Sequence, residues 1–159
     1  MKRVFNQDKA FDIDLTGKIS YGNIPINTLY ELFKDGRITG LLIEHLLGHS
    51  FRNITKSGNA GEAFDLFEST TRKVYECKSA KDISFDVAPS HMKGQGRKFN
   101  RDECENRILA VDGIILCTLK YFPILQFATL RIPEDISMIS ITDKGAKVSR
   151  KSWDILRAR

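Results

Sequence analysis

Two apolar runs past the middle of the chain constrain its fold most: GIILCTLKY over 113–121 and ILQFATLRI over 124–132. Each is nearly continuous and of strand length, and Pro123 separates them. Runs of that kind read as buried strands. A helix is expected just before them, from about Arg101 to Val111, after the polar segment APSHMKGQGRKFN. Two earlier strand-like runs, AFDLFES and KVYECKSA, are joined around Thr70 and Thr71. Nearer the N-terminus, Asn27 is expected to cap a short helix, TLYELFKDG, closed by Gly36. Thr39 is expected to cap a second, GLLIEHLLGH, with Leu42, Leu46 and His49 on one stripe and Leu41, Glu44 and Gly48 on its neighbour. The stretch NITKSGNAGE reads as a polar loop. Helix, strand, strand, helix, strand, strand predicts an α/β fold with a mixed central sheet. At 159 residues, one domain fits and two ordinary ones do not. Within it, 25–50 is helical, 63–80 forms a hairpin, and 144–159 is a basic tail in which Trp153 and Leu156 pin a last helical turn.

Lys and Arg outnumber Asp and Glu by 25 to 20, an excess that tilts the expected partner toward a polyanion. Cys77, Cys104 and Cys117 are odd in number and form no C-x-x-C pair, so they predict packing residues rather than a zinc site or a disulfide framework. The N-terminus has no apolar leader. Charges and Pro123 interrupt the run from Ile108 to Ile132, so no membrane span is expected. The expectation is a cytoplasmic protein in a bacterial or phage setting.

The chemistry concentrates in Phe64-Asp65-Leu66-Phe67 and Val74-Tyr75-Glu76-Cys77-Lys78. Alternate side chains of a strand share a face, so Val74, Glu76 and Lys78 point one way. A hairpin with Thr70-Thr71 as its loop would set Phe67 opposite Val74 and Asp65 opposite Glu76. Like charges abreast destabilise a sheet. A divalent cation offsets that repulsion, and Mg²⁺ takes a few carboxylate oxygens and completes its shell with water or phosphate. Lys78, one step along, is placed to orient or deprotonate an attacking water, or to stabilise charge on a phosphorane-like transition state. The plain alternative is a solvated Glu–Lys face. It suits Asp65 least, because Asp is depleted in strands and here sits between Phe64 and Leu66.

D-x10-E-x-K across two strands, preceded by a helix carrying Glu44, resembles the PD-(D/E)-x-K nuclease superfamily of restriction, homing and junction-resolving endonucleases. The resemblance implies a restriction-endonuclease-like domain with a mixed sheet flanked by helices, and Mg²⁺-dependent hydrolysis of DNA, with Mn²⁺ able to substitute. It implies Asp65 and Glu76 as the two acidic positions, Lys78 as the lysine and the Cys77 backbone carbonyl as a further metal ligand. Glu44 matches the helix glutamate that many members add to the metal shell, with Glu62 a competitor. Phe64 replaces the nominal proline. Cutting both strands of a duplex implies a homodimer or a tetramer built from dimers. Restriction and homing types fit equally, a junction resolvase next, and a DNA-binding module with a vestigial nuclease fold is the alternative from another class.

DNA contacts are expected from Ser79 and Lys81, just after the motif, and from Lys93, Gln95, Arg97, Lys98 and Arg101. The glycines at 94 and 96 let backbone approach a phosphate that these cations would hold; a solvated loop is the alternative. His45 and His49 share a helix face but lack the H-E-x-x-H order of a zinc protease, so they read as a core or surface pair. The tail cations (Lys144, Lys147, Arg150, Lys151, Arg157, Arg159) read as a solvated terminus or an extended phosphate track.

Overall fold

A computed structural model describes residues 1–35, 38–57 and 64–159. Gly36 and Glu62, expected as a helix stop and a possible metal ligand, lie outside them. Six strands form a mixed sheet: β1 (Phe11–Asp14), β2 (Ile54–Lys56), β3 (Leu66–Glu68), β4 (Lys73–Ala80), β6 (Gly113–Thr118) and β7 (Ile124–Arg131), in the order β1-β7-β6-β4-β3-β2. β4 and β6 are parallel, and their crossover carries α3 (Arg101–Leu109). The other neighbours in the sheet are antiparallel. The protein is therefore α/β with a mixed central sheet. α1 (Ile26–Lys34) and α2 (Thr39–Ser50) supply part of the core on one face; α3 and α4 (Arg150–Arg157) pack on the other.

All six residues of β6 are buried, which is why the run lacks a two-residue alternation: both faces of the strand are covered. Gly113 opens that strand because nothing larger fits. A Cβ there would stand 2.8 Å from the Leu130 carbonyl oxygen and 2.9 Å from the Tyr75 ring. In β4 the alternation is legible. Tyr75 and Cys77 face the core beneath α2, while Val74 and Ala80 face the core beneath α3 and α4.

Several elements differ from expectation. α1 begins at Ile26, not after Asn27, because the Pro25 carbonyl already accepts the Leu29 N–H at 3.1 Å. Thr39 is the first residue of α2 rather than its cap, and its buried hydroxyl has no partner among the described residues. The stripe that α2 buries is Thr39, Ile43 and Leu47, neither of the two expected; Leu41 is exposed. The segment is apolar nearly all round, so periodicity alone could not select the inward face. Part of the polar stretch after α2 is β2, fixed by Asn53, whose amide accepts the Phe5 N–H (2.7 Å) and donates to the Phe5 carbonyl (3.1 Å). Downstream, β5 (Phe85–Asp86), β8 (Ile139–Thr142) and β9 (Gly145–Val148) make a second, three-stranded sheet that was not expected; β9 falls within the expected basic tail of 144–159. Trp153 and Leu156 do anchor the C-terminal helix. Among the described residues, no helix is long and apolar enough to cross a membrane.

Candidate active site

The hairpin pairs as the spacing predicts up to one residue. Phe67 stands opposite Val74 and Leu66 opposite Tyr75. The Asp65 N–H then donates to the Tyr75 carbonyl at 2.9 Å, although Tyr75 is already the partner of Leu66. Two consecutive residues facing one is the pattern of a β-bulge, which bends a strand and re-aims a side chain. The ladder between β3 and β4 ends at the Leu66–Tyr75 pair, and Phe64 packs against the same core cluster as Val74. The expected side-by-side pairing of Asp65 with Glu76 is thus replaced by a different arrangement.

Instead, Asp65 turns its carboxylate into the ladder. Its Oδ2 accepts the Cys77 N–H at 2.8 Å, where a backbone carbonyl would otherwise sit. The N–H and C=O of one strand residue point to the same side, so the Cys77 carbonyl also faces this opened edge of β4. Glu44 approaches from α2. Burial, and then the negative charge of Asp65, push its carboxyl above the usual range, opposed by Lys56 at 3.6 Å. Burial lifts the Cys77 thiol well above its ordinary value, and the charges of Asp65, Glu44 and Glu76 add to that. Asp65 is the acidic side chain in contact with Cys77, through its backbone N–H.

On the other face of β4, Lys78 Nζ meets Glu76 Oε1 at 2.7 Å and donates to the Ala88 carbonyl at 3.3 Å. Only 10% of the Lys78 side chain is exposed, so the ammonium is held rather than swinging free. Lys93 reaches the same place. Burial and then the Lys78 charge lower its pKa, while Asp86 (3.3 Å) and the charge of Glu76 oppose that.

The turn that holds this hairpin is fixed by Glu68, a buried carboxylate. It accepts hydrogen bonds from Thr71 (2.7 Å), Tyr75 (2.7 Å), Thr70 (3.0 Å) and Asn53 (3.1 Å). Arg72 completes the turn in the left-handed region at φ 60°. Sequence reasoning missed Glu68. The available signal was the run of hydroxyls, Ser69-Thr70-Thr71, directly after a strand glutamate.

The other expected contacts divide. Of the 93–98 loop, Lys93 turns into the site; Gln95 and Lys98 are exposed, and Arg97 donates to the Ser90 carbonyl at 2.7 Å. Arg101 sits 3.8 Å from Asp143. Ser79 is half-buried in β4, opposite Cys117. Lys81 shares a shallow groove with Glu31, Lys34, Asp35, Asp82 and Lys120, in which Lys34 pairs with Glu31 and Lys120 with Asp82. In the tail, Arg157 is spent on the Phe11 and Phe127 carbonyls and Asp12, and Arg159 on Asp135. Those two guanidiniums brace the fold, while Lys144, Lys147, Arg150 and Lys151 stay exposed. Cys104 and Cys117 are buried packing residues, and Cys77 is partly so. His45 and His49 are both exposed.

Among the described residues, no three potential ligand side chains stand close enough to form a ready-made metal cage. Mg²⁺ does not require one, since it keeps several waters and takes one or two carboxylates. Asp65 and Glu44 with the Cys77 carbonyl are hard oxygen donors, and the repulsion felt at Glu44 is what a cation relieves. No family model matches this chain, and neither does any curated protein or solved structure.

Proposed function

We propose that the protein is a Mg²⁺-dependent endonuclease that hydrolyses phosphodiester bonds in DNA, built on a restriction-endonuclease-like domain. One observation carries the reading: a β-bulge aims Asp65 at the opened edge of β4 toward which the Cys77 carbonyl faces, its charge is felt at Glu44, and the 2.7 Å Glu76–Lys78 pair stands on the other face of the same strand. A bulge at such a position is characteristic of strands next to active sites. The mixed sheet, with helices on both faces, agrees with the architecture that the motif implies.

Asp65, Glu44 and the Cys77 carbonyl would hold the ion, with Glu76 in reach once it exchanges Lys78 for metal. The bound ion supplies Lewis-acid polarisation of the phosphodiester and a more acidic water. Lys78 contributes a positive charge next to the scissile group, retained by the Ala88 carbonyl when Glu76 turns to the ion. Lys93 adds a second cation that can receive a phosphate oxygen. Sequestering both lysines against carboxylates keeps the site close to neutral until substrate arrives. One chain supplies one such site, so double-strand cleavage requires a second copy, and a symmetric homodimer acting on two-fold symmetric DNA is the simplest assembly.

The test is a panel of supercoiled plasmid, phage genomic DNA and a four-way junction, each incubated with Mg²⁺ or Mn²⁺. Discrete fragments would mark a restriction or homing type, and resolution of the junction alone would mark a resolvase. Binding with no cleavage of any substrate in either metal would leave a DNA-binding module and end the enzymatic reading.

A further inference from the structure

A concave surface between α2 and β2 has a charge pattern that the catalytic cluster does not explain. It encloses about 390 Å³ and is lined by Lys2, His45, His49, Arg52 and Lys56 over a floor that includes Phe51. No aspartate or glutamate lines it. Among the described residues, the side chains of Lys2, His45, His49 and Arg52 make no ion pair or hydrogen bond. Some cations elsewhere are paired, Arg131 and Arg159 with Asp135, Lys120 with Asp82 and Arg157 with Asp12. Lys9, Lys98 and Arg107 are exposed with no ion pair among the described residues, so what marks this surface is the convergence of its cations on one hollow. Lys2, Arg52 and Lys56 converge there with two histidines and no acid in the lining. Glu44 pairs with Lys56 at 3.6 Å, and Asp12 and Asp14 share the adjoining groove with Lys2 and His49, yet the lining itself is net positive and suits a polyanion.

We propose that this groove holds the sugar–phosphate backbone of DNA and leads it to the catalytic edge. The choice of DNA as the polyanion rests on the nuclease reading; the existence of a phosphate groove does not. Lys56 gives the direction, because it lines the groove and at the same time stands 3.6 Å from Glu44. A strand seated on Lys2, Arg52 and the histidines therefore passes Lys56 on its way to Asp65 and Cys77. Each histidine can donate a ring N–H to a phosphate oxygen even when neutral. Phe51 is buried beneath the floor, and the exposed rings on the groove are the imidazoles of His45 and His49, which are assigned to phosphate. The groove thus supplies affinity and register, and sequence selection belongs to other parts of the surface. It differs from the loop of 93–98, from which only Lys93 enters the site.

The experiment is fluorescence anisotropy of a short labelled duplex of mixed sequence, without divalent metal, across a salt series. The proteins are wild type, Lys2→Ala/Arg52→Ala, and a charge-matched control, Lys9→Ala/Arg107→Ala, at exposed positions outside the groove. Loss of two phosphate contacts should flatten the slope of log K against log salt by about 1.8 and weaken binding by more than about tenfold near 0.1 M salt, beyond any loss in the control. Arg52→Glu, a single exposed change, guards against misfolding of the double variant and should weaken binding at least as much as loss of one contact. Groove variants that bind within about twofold of the control, with an unchanged slope, would overturn the proposal. So would a wild type that binds anionic lipid vesicles through these residues and not DNA. Because no metal is present, the two readings separate. Groove-dependent binding without cleavage would sink the nuclease and keep the groove, and cleavage with groove-independent binding would do the reverse.

Discussion

Replacing Asp65 by Asn and by Ala separates what that residue does for the fold from what it does for chemistry. Its Oδ2 is the acceptor for the Cys77 N–H at 2.8 Å, in a half-buried position at the end of the β3–β4 ladder. Asn keeps a carbonyl oxygen for this bond and loses only the charge. Ala removes the acceptor and leaves the N–H to whatever water reaches the edge. A hydrogen bond to a charged acceptor contributes about 1.5–3 kcal/mol when well shielded. Partial exposure here reduces that to about 1–2 kcal/mol, or about 2–8 °C in Tm for a chain of this size. Asn, by contrast, also removes the charge that raises the Glu44 carboxyl, so its stability at neutral pH should lie within about 0.5 kcal/mol of the parent. Thermal and urea unfolding of the three proteins give the stabilities, and carboxyl-detected NMR titration follows Glu44. The Glu44 titration should move to lower pH in Asp65→Asn. Equal stability of the Ala and Asn variants would refute the bulge-capping role. An unmoved Glu44 titration would show that the two carboxylates do not share the catalytic edge.

Glu44→Gln should gain stability while losing activity. Burial and the Asp65 charge raise the Glu44 carboxyl in the fold, so the folded state binds its proton more tightly than the unfolded chain does. Stability is then lost as pH rises from the unfolded value of about 4.3 through the folded one. At pH 7 the Gln variant should be more stable by up to about 1 kcal/mol in denaturant unfolding, yet bind Mn²⁺ more weakly. Asp135 behaves oppositely. Burial would raise its carboxyl, but hydrogen bonds from Arg159 and Arg131 outweigh burial and hold it well below the usual carboxylate range. Its stabilisation is fully present above about pH 4 and is lost as pH falls below that toward the folded value. Asp135→Asn should therefore cost about 1–3 kcal/mol at pH 7, a difference that shrinks in unfolding curves taken at progressively lower pH.

The parts of this structure legible in the sequence were those that one short period could encode. The buried runs became β6 and β7, the helix after Asn100 begins where an Asn side chain accepts the Glu103 N–H, and the Phe67–Val74 register followed from placing Thr70-Thr71 at the loop. What escaped was set by tertiary contacts or by very short elements. β1, β2 and β5 are four, three and two residues long, below the length at which alternation is readable. Ile139–Val148 is a local hairpin whose four pairs close on Asp143-Lys144, a signal that the reading of a basic tail from Lys144 passed over, and β5 adds two further pairs to β9. At the site, residue types were legible and their geometry was not. The bulge at Asp65 depends on a single backbone hydrogen bond that no spacing rule encodes, and the basic groove gathers Lys2 with residues 45–56, far apart in the chain.

The most direct test of the catalytic assignment is the Mg²⁺ dependence of plasmid cleavage by the wild type, Glu76→Gln and Lys78→Ala, at protein concentrations that saturate DNA binding. The account predicts saturable, Mg²⁺-dependent cleavage by the wild type. Both variants should fall by at least about 10²-fold in rate while their Kd for DNA stays within about threefold. Metal-independent cutting, or variants that cleave at the parental rate, would contradict it.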